Sequence, residues 1–157
     1  MDIDVSDLTP ARVGQFDIVL FAGVLYHLRH PLLGLETVAS LTNSMLIVET
    51  HLDALDQPQP MMVFYPGEFG GDNTNWWGPN RPCVEAMLRD VGFPQVEFTP
   101  HPTIFNRGIF HCLKPAHTTR QAVRPNGDKE AASPSKSQSL VAGLKGQFAK
   151  VIGKKKN

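Results

Sequence analysis

The stretch FDIVLFAGVLYHLRHP ends an apolar run on Gly23, Tyr26 and His27 before a proline restarts the chain. Those residue types suit a ligand at the mouth of a sheet. Glycine lets backbone come close, a phenol offers a polar tip, and an imidazole with an ordinary pKa of about 6.5 can take a proton. His27 is a candidate base, or else a histidine that fixes its loop through a carbonyl. Trp76 and Trp77 sit side by side among Gly, Asn and Pro, where exposure is costly. They suit stacking on a planar acceptor or base, or a lid packed on a sheet edge. Arg81 beside them could meet a carboxylate or phosphate, or stay solvated in a first helical turn. Glu49, His51 and Asp53 alternate along the chain, and His27 with His30 form an HxxH. Either could be drawn as a metal site, but the spacing is common and no third ligand is clear, so no metal is expected.

The elements that must position these residues are legible from periodicity. FDIVLFAG is near-continuously apolar, the pattern of a strand buried on both faces. HPLLGLETVASLT follows with Pro31 suited to a first helical turn and Leu32, Leu35, Val38, Ala39 and Leu41 on a helical stripe. SMLIVET reads as a second buried strand ending at Glu49. Strand, helix and strand with a short connection predict parallel α/β winding. The segment from His51 to Asn75 is rich in prolines, glycines and acids, with MMVFY as a short strand. Asn80 is placed to cap a helix in NRPCVEAMLRDVGF, with Pro82 in its first turn and Gly92 at its end. QVEFTP and GIFHCLK read as two further strands.

At 157 residues the chain is long enough to bury a real core. Its formal charge is zero, but the halves differ: up to Lys114 there are 6 basic against 13 acidic residues, and from Pro115 onward 9 against 2. Cys83 and Cys112 are far apart without metal or redox spacing, which fits two thiols in a reducing compartment. The N-terminal residues are acidic, and the run from Ile18 to Leu28 is too short for a span of about 20 residues. A cytoplasmic body is expected. Residues 115–157 have a disordered, basic composition. Within them Leu140, Val141, Leu144, Phe148, Val151 and Ile152 share one helical arc followed by lysines, an amphipathic helix over 138–153. Such a tail could contact an anionic membrane or nucleic acid, or simply solubilise the chain.

Taken together, FDIVLFAGVLYHLRHPLLGLE, LIVET, TNWWGPNRPCVEAMLRDVGF and RGIFHCLKP resemble class I S-adenosylmethionine-dependent methyltransferases from their fourth strand onward. The likeness is strongest to the wobble-uridine tRNA (carboxy)methyltransferase branch and runs from Asp4 to Pro115. It implies an α/β, Rossmann-like methyltransferase sheet limited to its C-terminal half over residues 1–114, followed by the tail. It implies S-adenosylmethionine as cofactor, with Ser6 and Asp7 near the adenine, and Ala22, Gly23 and Tyr26 near the reactive end. Tyr26 and His27 are then the catalytic candidates, and Trp76, Trp77 and Arg81 the acceptor-side ones. The family's glycine-rich turn and ribose-binding acid have no counterpart before Phe16, and GEFGGDN is a loop without the flanking strand and helix such a turn needs. The chain is thus expected to need a missing N-terminal half and to be inactive alone. A non-catalytic fragment acting as a binding module is the competing expectation. TPHPTIFNRGIF is short, with Arg107 its only arginine, which favours plain methyl over carboxymethyl transfer. The acceptor is a small hydroxylated or amine molecule or a tRNA base, the acidic body counting against RNA.

Overall fold

The computed structural model describes residues 3–115, so the amphipathic stretch at 138–153 lies outside the described residues. A one-turn helix α1 (Pro10–Val13) precedes strand β1 (Phe16–Ala22). Helix α2 (Pro31–Leu41) then carries the chain back to strand β2 (Thr42–His51). β1 and β2 pair in parallel, from Phe16 against Thr42 to Ala22 against Glu49. Parallel neighbours require a crossover, and α2 supplies it. Strands β3 (Met62–Phe64) and β4 (Trp77–Pro79) form a separate antiparallel ribbon. Helix α3 (Arg81–Asp90) leads to β5 (Gln95–Pro100) and β6 (Arg107–Leu113). β6 runs antiparallel between β2 and β5, giving the sheet order β1-β2-β6-β5.

Asn80 does more than cap α3. Its Oδ1 accepts from the backbone N–H of Cys83 and of Met61, at 3.0 and 3.1 Å. Its Nδ2 donates to the carbonyls of Gln57 and Gln59, so one buried side chain joins the helix start to the loop before β3. An N-cap alone contributes about 1 kcal/mol. Gly92 ends the helix region with φ +103°, a conformation that a side chain strains.

The core is one cluster. Leu35, Val38 and Ala39 of α2 meet Val84 and Leu88 of α3 over Leu46, Val48, Phe110 and Cys112 of the sheet, with Phe93 closing the end. Burying each large side chain there contributes roughly 1.5–3 kcal/mol. Burial also pushes the Cys112 thiol up to about 12, so this cysteine is a packing residue.

One sequence expectation is corrected here. β1 is buried on one face only: Phe21 is 5% exposed, but Leu20 is 69% and Ile18 46% exposed. Val19 and Phe21 point to the core, while Phe16, Ile18 and Leu20 form the opposite face. Among the described residues no strand pairs with the far edge of β1. A continuous apolar run reports strong burial preference without saying what covers it.

Candidate active site

The parallel strands β1 and β2 end at the same side of the sheet, and β6 begins there. Open α/β sheets place ligands at this end. The register sets Ala22 beside Glu49 and His51 beside Arg107. Gly23 extends the ladder, its N–H donating to the Glu49 carbonyl at 2.9 Å, and turns the chain at φ +71°. That angle requires glycine, and the turn delivers Tyr26 and His27 in a short 3-10 segment, Leu25–His27.

Arg107 organises one wall. Its Nε and Nη2 donate to the two carboxylate oxygens of Glu49, the second at 2.8 Å. Its Nη1 donates to the Tyr26 hydroxyl at 3.1 Å. Hydrogen bonding to Glu49 raises the Arg107 pKa against the opposing effect of burial, so the guanidinium is a fixed cation. Because the Tyr26 oxygen accepts from Arg107, its own O–H is left as a donor toward the cleft.

A chain of hydrogen bonds from Asp53 through Tyr65 to His51 builds the other wall. The Tyr65 hydroxyl donates to Asp53 Oδ2 at 2.6 Å and lies 3.0 Å from His51 Nε2. The Asp53 carboxyl is held below its usual range chiefly by that bond, so it is an acceptor. Burial and Asp53 together raise the Tyr65 pKa, so the phenol keeps its hydrogen. With that hydrogen given to Asp53, Tyr65 must accept from His51, which puts the imidazole proton on Nε2. His51 Nδ1 is then a bare acceptor, 3.3 Å from the Asn106 amide nitrogen. Burial first, and the Arg107 charge, lower the His51 pKa, while Asp53 opposes them. Gly78 of β4 makes the arrangement possible: a Cβ there would sit 2.0 Å from the Tyr65 hydroxyl and 2.6 Å from Asp53 Cβ.

His27 is bound differently. Its Nδ1 lies 2.9 Å from Thr74 Oγ1 and 3.2 Å from the Thr74 carbonyl. Thr74 already gives its hydroxyl hydrogen to Asp72 at 2.6 Å. Nδ1 is therefore the donor, and His27 ties the 3-10 segment to the Thr74 loop. The Tyr65 ring stacks on Phe69 at 4.0 Å, and Phe69 and Asn75 complete a cleft of about 340 Å³. Asn75 Oδ1 is buried with no hydrogen-bond partner among the described residues.

Of the residues singled out in the sequence, Tyr26 and His27 line this cleft, while Ala22 ends β1 and Gly23 turns the chain next to Arg107. Trp76, Trp77 and Arg81 do not line it. The Trp77 ring packs on Phe64 at 5.0 Å and its N–H reaches the Arg29 carbonyl at 3.4 Å. Trp76 lies under the Arg29 guanidinium at 4.1 Å. Arg81 pairs with Glu85 at 2.7 Å and covers the Phe98 ring. Ser6 is bonded to Asp4 through both its N–H and its hydroxyl, in the turn that includes Asp7. The cleft residues that sequence reasoning did not assemble are Arg107, His51, Asn75 and Asn106, with Tyr65 buried behind His51. The alternation of Glu49, His51 and Asp53 was their signal, weighed only as metal ligation. Among the described residues no group of three or more metal-ligating side chains is formed.

No family model matches the chain. A tRNA U34 carboxymethyltransferase of Syntrophotalea carbinolica is 30% identical over 124 residues, covering 71% of this chain and 38% of that protein. Its namesake in Trichlorobacter lovleyi is 36% identical over 99 residues, covering 60% of this chain and 29% of that protein. The chain thus spans about a third of the length of these relatives. Among solved structures, the N-terminal domain of EvdMO1 with SAH bound is 26% identical, with TM-score 0.50, covering 71% of this chain and 51% of that one. The magnesium protoporphyrin IX methyltransferase of Synechocystis, with bound SAH, aligns over 73% of this chain and 50% of its own at TM-score 0.52 and 19% identity. The described body is part of a class I methyltransferase fold. Within that methyltransferase fold, the cleft stands at the strand ends where β1 turns at Gly23.

Proposed function

We propose that this chain forms the acceptor side of an S-adenosylmethionine-dependent methyltransferase. The observation that carries the reading is the convergence of Tyr26, His51 and Arg107 at the shared ends of β1, β2 and β6. The chain offers one wall to the cofactor: backbone at Ala22 and Gly23, whose positive φ keeps a side chain out of the approach, and the donor O–H of Tyr26. When bound, the cofactor supplies an electrophilic methyl group on a sulfonium. The residues of this chain orient the acceptor through Tyr26 and exclude water beneath the Phe69 ring. A small hydroxylated or amine acceptor fits a cleft of about 340 Å³.

Carboxymethyl transfer to tRNA is the second reading. It is favoured by the names of the similar proteins, and by Arg107 Nη1 and the Tyr26 O–H, two donors that could share a carboxylate. Glu49 weighs against it, because it already occupies the Nε–Nη2 edge of the guanidinium. The open apolar face of β1 supports a third role, association with another strand or chain, alongside either reading.

Titration of the nitrogen-15-labelled chain with S-adenosylhomocysteine tests the proposal. The amides of Ala22, Gly23 and Tyr26 should move first, and only at millimolar ligand, since among the described residues no glycine-rich turn joins a strand to a helix. Shifts centred on α3 or on the Trp76 loop would refute the placement.

A further inference from the structure

The geometry points to His51 Nδ1 as the general base that takes the acceptor's proton, with Tyr65 and Asp53 as positioning residues; this rests on the methyl-transfer reading above. The polarity of the chain of hydrogen bonds decides it. Asp53 can only accept, so Tyr65 donates to it and accepts from His51 Nε2–H. The imidazole is thereby locked with its basic nitrogen turned away from Tyr65 and toward Asn106, a residue of the cleft. The amide hydrogen of Asn106 stands where an acceptor O–H would stand. His27, by contrast, gives its Nδ1 hydrogen to Thr74, which ties its loop and leaves Nε2 as its acceptor nitrogen.

The step is a proton transfer. The acceptor O–H bond breaks, its electron pair stays on oxygen, and the proton bonds to His51 Nδ1. The imidazolium so formed keeps its Nε2–H on Tyr65, whose hydroxyl passes the interaction to the Asp53 carboxylate. This is the orienting logic of a histidine held by an acid, with a phenol inserted between them. The groups that act on the ring differ in sign, and His27 and Asp72 line the same cleft. Burial first, and then the Arg107 charge across the register, lower the His51 pKa, and Glu49 neutralises part of that cation. Asp53 favours the imidazolium during turnover, and Tyr26 packs its ring edge-on at 6.0 Å.

Two readouts on the full chain, neither requiring methyl transfer, test the inference. Nitrogen-15 spectra of labelled histidines should show His51 protonated at Nε2 and bare at Nδ1 at neutral pH, with the preference lost in Tyr65→Phe. Diethyl pyrocarbonate, which acylates bare imidazole nitrogens, should modify His51 in the wild type, as mapped by peptide mass. The Tyr65→Phe and Asp53→Asn chains should react severalfold more slowly at this residue while His101 reacts unchanged. A His51 protonated at Nδ1, or one inert to the reagent in the folded wild type, would overturn the assignment. Failure of the cofactor titration with these two results intact would instead count against the methyltransferase reading alone.

Discussion

The two walls of the cleft are built from similar parts and behave oppositely. On one, Arg107 is clamped by Glu49 and leans on Tyr26, giving a charge that no accessible pH removes. On the other, Asp53, Tyr65 and His51 form a chain whose last member is neutral and can change its protonation. Both use a tyrosine, yet one tyrosine accepts from a cation and the other donates to an anion. The contrast teaches that the partner, and not the residue type, sets what a side chain offers to a ligand. The Arg107 wall is a fixed ion pair, while the His51 wall ends on a group that can change its protonation.

The contrast can be broken one side at a time. Glu49→Ala should cost the most, about 3 kcal/mol, because it leaves a half-buried guanidinium without its carboxylate; urea unfolding at constant slope measures it. Gly78→Ala should cost about 2 kcal/mol by forcing Tyr65 and Asp53 apart, as overpacking does. It should leave the Arg107 wall intact, which the Tyr26 and Arg107 side-chain resonances would report. Tyr65→Phe should cost about 1 kcal/mol, the net worth of the bonds it removes.

The smallest effect is on pH dependence. Burial depresses the His51 pKa in the fold below its unfolded value of about 6.5. The unfolded chain then binds more protons in that window, so the stability is complete above about 6.5 and is lost as pH falls toward the folded value. His51→Gln should flatten this slope, while Arg107 contributes none in that range. Unfolding midpoints measured at neutral and mildly acidic pH would show it.

The scaffold was legible in the sequence where local signals decide structure. The β1, α2 and β2 succession, the Asn80 cap and the strands β5 and β6 all follow from period, capping residue and breaker. The single-faced burial of β1 was not legible, since an apolar run is the same for a central and an edge strand. Nor was Trp77 as the first residue of β4, because its partners Phe64 and Arg29 are set by tertiary contact. Tyr26 and His27 stood out because a strand end carries them. Tyr65 and Asn106 did not, since a hydrogen-bond chain assembled from three loops and strands leaves no spacing in the chain. Arg107 was visible as the lone arginine of its segment, but its meeting with Glu49 depends on the register of β2 with β6.

The most direct test of the central claim is transfer of a labelled methyl group. The chain would be combined with the N-terminal half of a similar tRNA U34 carboxymethyltransferase, purified together as a complex, and given methyl-labelled S-adenosylmethionine with small hydroxylated acceptors and with tRNA. The account predicts label in the small acceptors, dependent on this chain and reduced about a hundredfold by His51→Gln, within the usual range for loss of a general base. A complex that binds S-adenosylmethionine yet labels neither acceptor pool, or labels one equally well without His51, would contradict it.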